Sequence, residues 1–360
     1  MIQRLKRLLY KGRQERKKPG GFTPGFTLIE LLVAVLISGV IITPVLGLVI
    51  SLLNSDRQEQ VKGRGEQELQ AALDYIARDL QQAIFIYDTA GVTQNGTAGI
   101  ADDLPTVTGG TPVLVFWKRK LLARDSNIDH DGDGDTADAI KVGCLNKLPA
   151  GTPATVGRDC GAGDRGDDRD YFVFSLVAYY LIDDPGGKWS EGMRIARWEI
   201  NDGITNNDPN NTDAIAVGGI SYRAVPDSGF VPFDLQAEGD NTAQKMNRWD
   251  PDETMYDISP QVLVDFIDDN TSLPTPNCGN NEQTIPDFTT VASNFRTASF
   301  YVCVPTATPT NSDPPRKPVA EVHLRGNALH RIGENPEYKD HKAAFFPRSS
   351  IRVQGVGFVN

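Results

Sequence analysis

The sequence predicts an α+β fold, with a long N-terminal transmembrane helix packed on an antiparallel β-sheet that carries long loop insertions. Three observations predict it. Residues Phe26–Leu53 form an apolar run whose only charge is Glu30. The run continues into a polar but periodic stretch. After Asp88, short β-type runs alternate with segments dense in Asp, Asn, Gly, Pro and Thr.

The apolar run FTLIELLVAVLISGVIITPVLGLVISLL exceeds the about 20 residues that cross a bilayer as a helix. Eight Lys/Arg and one Glu precede it within residues 1–25, although the whole chain carries a net −11. Such a basic flank is retained on the cytoplasmic side, so the C-terminal body is exported. The run is too long for a secretory h-region, and no small-x-small cleavage site follows it. Pro44 is expected to kink the helix. Val61, Leu69, Leu73, Ile76, Leu80 and Ile84 then recur at steps of three and four, which predicts that the helix reaches Ile84. Gly63 and Gly65 are expected to loosen it. The stripe around residues 71–80 is wide enough to pack on a sheet.

The body reads as strands at 112–121, 171–182, 193–200, 261–267, 299–304, 320–325 and 352–358, rich in β-branched and aromatic residues. Residues 171–182 and 193–200 form a hairpin across Pro185-Gly186-Gly187, with Met193, Ile195, Trp198 and Ile200 turned inward. Polar insertions at 89–111, 201–216, 237–259, 268–295 and 305–318 read as surface loops, where distinctive function tends to reside. If these loops and their bound Ca²⁺ make a ligand-binding or adhesive module, deleting loops around 201–259 is expected to spare assembly and remove binding. The acidic body argues against nucleic-acid binding. His130, His323, His330 and His341 fall in no metalloprotease spacing, and no nucleophile elbow or phosphate loop occurs. No enzymatic activity and no organic cofactor are expected, and His130 is expected to be exposed.

Two further patterns carry chemistry. Starting at Asn127, the loop NIDHDGDGDTAD places oxygen donors where an EF-hand-type loop has them. The donors are Asn127, Asp129, Asp131, Asp133 (through its carbonyl), Asp135 and Asp138, with Gly132 at the sixth position. Clustered carboxylates repel without a cation, so structural Ca²⁺ is expected. Asp at the last position is shorter than the usual Glu, and the flanking helices of an EF-hand are not evident. The four cysteines, Cys144, Cys160, Cys278 and Cys303, fit disulfides in an exported chain. Their order suggests Cys144–Cys160 and Cys278–Cys303 among three connectivities, and no zinc spacing is present.

The junction Gly25-Phe26-Thr27-Leu28-Ile29-Glu30 closely resembles the N-terminal signal of type IV prepilins and type II secretion pseudopilins. The resemblance implies that a prepilin peptidase cuts between Gly25 and Phe26, that Phe26 is then N-methylated, and that Glu30 pairs with the N-terminal amine of a neighbouring subunit. A carboxylate in an apolar segment needs an opposite charge, which agrees with that role. The implied layout is a leader at 1–25, a membrane and assembly half-helix at 26–53, an exported half-helix at 54–88 and an exported head at 89–360. The implied partners are other pilins or pseudopilins, the peptidase, the membrane and an inner-membrane assembly platform. The implied topology is a single pass with a cytoplasmic N-terminus and a periplasmic head. Ile76-Ala77-Arg78-Asp79-Leu80 and the 171–200 hairpin resemble the larger minor pilins and the J-type minor pseudopilins. The long basic leader and Asp/Asn-rich body are also similar to pseudopilins of cyanobacterial hormogonium polysaccharide secretion.

Overall fold

The computed structural model describes residues 25–132, 139–145, 169–184, 188–206, 214–251, 256–306, 317–333 and 338–358. The chain divides into two compact units at Arg57–Gln58. The predicted Pro185-Gly186-Gly187 turn lies outside the described residues.

Helix α1 spans Leu28–Gln81 and runs through Pro44, Gly63 and Gly65. In the first unit its side chains are exposed on every side; Leu36, Val40 and Leu48 are among them. It is long and apolar enough to cross a membrane. Next to Pro44, which has no amide hydrogen, the Thr43 hydroxyl donates to the Gly39 carbonyl at 2.8 Å.

The second unit contains, in chain order, β1 (Ala83–Ile86), α2 (Thr89–Thr93), β2 (Gly110–Leu122), β3 (Asn127–Ile128), β4 (Ile140–Lys141), β5 (Tyr171–Ile182), β6 (Met193–Asn201), β7 (Ile204–Thr205), β8 (Ile215–Val217), β9 (Ile220–Ala224), α3 (Thr242–Met246), β10 (Gln261–Ile267), β11 (Glu282–Ile285), β12 (Phe300–Pro305), β13 (Val319–Arg325) and β14 (Arg348–Gln354). A five-stranded sheet has the order β1-β2-β5-β6-β10 and a four-stranded sheet the order β11-β12-β13-β14. Both are antiparallel throughout. Small sheets pair β3 with β4 and β7-β9-β8.

The single expected sheet is therefore two. The cause lies in β10, whose ladder to β6 shifts register twice and ends beyond Phe266, held at a left-handed φ of 60°. Bulges of this kind twist a strand out of its sheet. One bridge, Ile267 to Gly326, then links β10 to the end of β13.

The expected helix end at Ile84 also gives way. Ile84 is buried, which produced the helical spacing, but it lies in β1. That strand pairs with β2, with Phe85 opposite Trp117. The last strand starts and stops earlier than the expected 352–358. After Gln354 the chain turns away, with Gly355 N–H donating to the Pro318 carbonyl (2.8 Å) and Gly357 N–H to the Ala83 carbonyl (3.1 Å). The hairpin of β5 and β6 forms as expected, and Met193, Ile195, Trp198 and Ile200 are buried.

One core joins α1 to both sheets. Leu69, Ala72, Leu73, Ile76, Ala77 and Leu80 supply the helix stripe, and Leu73, Ile76 and Leu80 are fully buried. Each such side chain contributes about 1.5–3 kcal/mol on leaving water. Residues Val113–Lys118 are buried without alternation, so β2 is covered on both faces. Lys118 meets α1. Trp117, one residue away and thus on the opposite face, packs against Phe230, Phe233 and Trp249.

That packing corrects the reading of 237–259 as a detachable loop. Met246 and Trp249 are core residues, and Tyr87 donates to the Met246 carbonyl at 3.0 Å. Trp249 Nε1 donates to Val231 O (2.7 Å), and Trp198 Nε1 to Ile258 O (3.0 Å). Deleting this segment would open the core rather than trim the surface.

Candidate functional site

The N-terminus of α1 is built from Thr27 and Glu30. The Thr27 carbonyl accepts the first helical bond, from Leu31 N–H at 3.1 Å. The Glu30 amide donates to the Thr27 hydroxyl oxygen (3.3 Å), and the Glu30 carboxylate accepts from the Thr27 amide and hydroxyl, both at 3.1 Å. This is a reciprocal capping box, which satisfies orphan amides at the helix start. The carboxylate also sits at the positive end of the helix dipole. The signature Thr-x-x-Glu was legible in the sequence, but the motif's resemblance drew attention to a neighbouring amine instead. Glu30 uses one carboxylate oxygen in these contacts, and the other remains available for an incoming cation. Phe26 is 86% exposed, and Gly25 has open space around it. Residues 1–24, and with them the basic leader, lie outside the described residues.

In the second unit, Asp79 is a buried acid inside the apolar stripe of α1. Its Oδ1 accepts from Lys118 Nζ at 2.8 Å. Its Oδ2 accepts from Tyr179 OH and from Arg197 Nε, both at 2.7 Å. Arg197 also donates to Glu199 Oε2 at 2.7 Å. Lys118 and Lys120 stand 3.0 and 3.5 Å from Glu199 Oε1, as ionic contacts without hydrogen-bond alignment. Burial alone would raise the Glu199 pKa. Lys120, Arg197 and Lys118 outweigh it and hold the group at about 2. Burial and the neighbouring Asp79 push Tyr179 well above its usual range, so it stays a donor. The node locks α1 to β2, β5 and β6. Nearer the start of this unit, Glu68 pairs with Arg331, whose guanidinium lies 4.0 Å over the Phe266 ring. Sequence reasoning noted Asp79 only within a resemblance. The signal was an acid in an apolar helical stripe, matched by Lys118 at the end of an apolar strand.

The acidic loop is described in part. Asn127 lies in β3 opposite Lys141. The Asp129 carboxylate accepts from Gly132 N–H at 2.8 Å, and Gly132 adopts a left-handed φ of 75°. Such a tight turn fits the start of a cation-binding loop. Asp131 is exposed, while Asp133, Asp135 and Asp138 lie outside the described residues. Among the described residues no group of three His, Cys, Asp or Glu is placed to hold a metal. His130 is half-buried rather than exposed, because its carbonyl accepts from Val225 N–H at 3.0 Å and ties the loop to β9. Cys278 and Cys303 stand at disulfide distance, with Cα atoms 5.6 Å apart. Cys144 is buried, and Cys160, with the expected Cys144–Cys160 pairing, lies outside the described residues.

A family model for the prokaryotic N-terminal methylation motif matches residues 24–46. Comparisons with curated proteins and with solved structures find no match. The motif covers the Thr27–Glu30 cap and the first half of the uncovered helix.

Proposed function

We propose that this type IV pilin-like chain is a minor pilin or pseudopilin, a structural subunit that joins a filament supporting export or motility. One observation carries the reading. The methylation motif lies on a helix whose apolar half is uncovered, and the one acid of that half, Glu30, stands at the helix start with a free carboxylate oxygen. The motif implies processing by a prepilin peptidase and assembly with other pilins. A bare apolar helix requires lipid before assembly and neighbouring helices after it.

In this reading the cleaved chain begins at Phe26, and its methylated amine pairs with Glu30 of a neighbour. The basic residues before Gly25 keep the N-terminus in the cytoplasm, and the body lies in the periplasm. A large body suits a minor subunit, since it packs poorly in a densely repeated shaft. Structural Ca²⁺ in the loop from Asn127 to Asp138 braces that body, supported by the turn at Asp129–Gly132. The family motif suggests a structural subunit rather than an enzyme.

The test uses the full chain in a cell with its own assembly machinery. Mass spectrometry of the mature protein is expected to find N-methylated Phe26 at the N-terminus. Glu30→Ala is expected to be processed but lost from sheared filaments. A mature chain that begins elsewhere, or Glu30→Ala incorporated at the wild-type level, would refute the proposal.

A further inference from the structure

The outer face of the four-stranded sheet carries a ladder of polar and aromatic residues, in which Tyr301 packs against Phe288 and His323 stands 3.2 Å from Glu321 Oε1. Strand register places Tyr301 opposite His323, His323 opposite Ser350, and Arg325 opposite Arg348. Further along the same strands, Arg352 faces Glu321 and is held by two carboxylates, Glu282 at 2.7 Å and Glu321 at 3.1 Å. Arg348 is different: among the described residues it meets no carboxylate. It faces another cation across the ladder, an arrangement that disfavours the sheet unless an anion intervenes. Arg325 is already neutralised by Asp268 at 2.6 Å, and both are buried. Among the described residues, the Arg348 guanidinium meets only the Tyr338 ring, at 5.1 Å.

A cavity of about 350 Å³ opens over this ladder. That lies within the range of small-molecule sites, about 300–1,000 Å³, and it exceeds what a bare inorganic anion fills. Leu273, Pro274 and Pro276 form its apolar wall, opposite Tyr301, His323, Ser350 and the two arginines. Tyr301 and His323 stack nearly parallel, with centroids 4.5 Å apart and planes 5° apart, so the edges of the two rings form a fixed rim. Ala298, also in the lining, is held at a left-handed φ of 51°, which costs a non-glycine residue energy.

We propose that this cavity binds a carboxylate-bearing sugar ring. The carboxylate docks on Arg348, the ring lies against the edges of the Tyr301–His323 pair and the proline wall, and ring hydroxyls meet Ser350 and the Tyr301 hydroxyl. A planar guanidinium pairs with a carboxylate through two parallel bonds, which gives both orientation and affinity. Mixed apolar and hydroxyl-bearing walls suit a saccharide better than a purely aromatic acid. The site does not depend on filament assembly.

The test is ligand-observed NMR on the detergent-solubilised full chain, with D-glucuronate, D-glucose, benzoate and acetate as separate probes. Glucuronate is expected to give a saturable signal, with the other three at least ~10-fold weaker. Arg348→Ala is expected to weaken glucuronate ~10-fold, and Arg348→Lys to recover part of that loss. Arg348 is exposed and faces a like charge, so neither variant should lower the unfolding midpoint, which separates lost binding from lost fold. No saturable glucuronate signal up to ~50 mM, or an unchanged affinity in Arg348→Ala, overturns the proposal. Equal binding of benzoate or acetate also overturns it, because the site would then select an aromatic acid or a bare carboxylate.

Discussion

Replacing Asp79 by Ala tests whether the charge node holds the helix to the sheet. The side chain accepts three bonds, from Lys118, Tyr179 and Arg197, and it is only 7% exposed. Removing it leaves Glu199 as the one remaining carboxylate in direct ion pairs with Lys118, Lys120 and Arg197. Breaking a buried pair by deleting one partner costs about 3–5 kcal/mol, because the other charge stays buried and unpaired. The Tyr179 hydroxyl loses its acceptor as well, and an unmade buried bond costs about 1–3 kcal/mol, in part already counted in that range. At about 2–4 °C per kcal/mol for a large domain, the unfolding midpoint should fall by on the order of 10 °C. Trp117, Trp198 and Trp249 are buried in the body, so tryptophan fluorescence during heating or in urea reads the transition. Asp79→Leu combined with Lys118→Met removes one charge of each sign, and it should recover most of the loss. A loss below about 1 kcal/mol for Asp79→Ala, or a double variant no better than the single one, would refute the reasoning.

Stability should peak near about pH 4 and decline from there to about pH 6. Glu199, held at about 2, contributes stability that is complete above its ordinary value of 4.5 and disappears as pH falls toward 2. Asp103 and Asp202 act with the opposite sign. Burial raises both from 3.8 to about 6, so the folded state holds their protons more tightly, and stability falls as pH rises through that window. Urea midpoints measured across this range should trace the peak, and a curve rising steadily to pH 8 would contradict it. Gly63→Ala should stabilise the body by roughly 0.5–1 kcal/mol, since a methyl group there meets nothing within 4 Å. Gly203→Ala should destabilise it, because the new Cβ would stand 2.3 Å from the Ala224 carbonyl oxygen. Equal midpoints for the two variants would show that the close approach of these strands does not matter. Millimolar Ca²⁺ should raise the melting temperature of the metal-stripped chain, and Asp129→Ala should abolish the rise; calorimetry without heat of binding would remove the cation from the account.

Several features were legible because their signals are contiguous. The hairpin of β5 and β6 announced itself through two runs of β-branched and aromatic residues, and β10 through a third. Other features failed for identifiable reasons. Ile84 kept a helical spacing while lying in a strand, since burial alone does not reveal which backbone geometry delivers it. Residues 237–259 looked like a surface insertion because the segment is rich in Asp, Asn, Gly, Pro and Thr. Met246 and Trp249 were too sparse to form a periodic pattern, yet they cover the second face of β2. The uninterrupted burial of Val113–Lys118 requires such a cover, without saying where in the chain it would come from.

By itself the sequence determined the N-terminal segment that carries the methylation motif. Gly25–Glu30 and the apolar run behind it form a contiguous pattern, which a family model for the N-terminal methylation motif matches over residues 24–46 without reference to the rest of the fold. The tertiary structure alone decided how the strands divide into sheets, which acid anchors the helix, and which arginine meets no carboxylate among the described residues. Those outcomes depend on pairings between residues far apart in the chain, such as Asp79 with Arg197 and Arg325 with Arg348. A charge's partner is set by the strand that arrives beside it, and the twist and register of the sheets decide which strand that is.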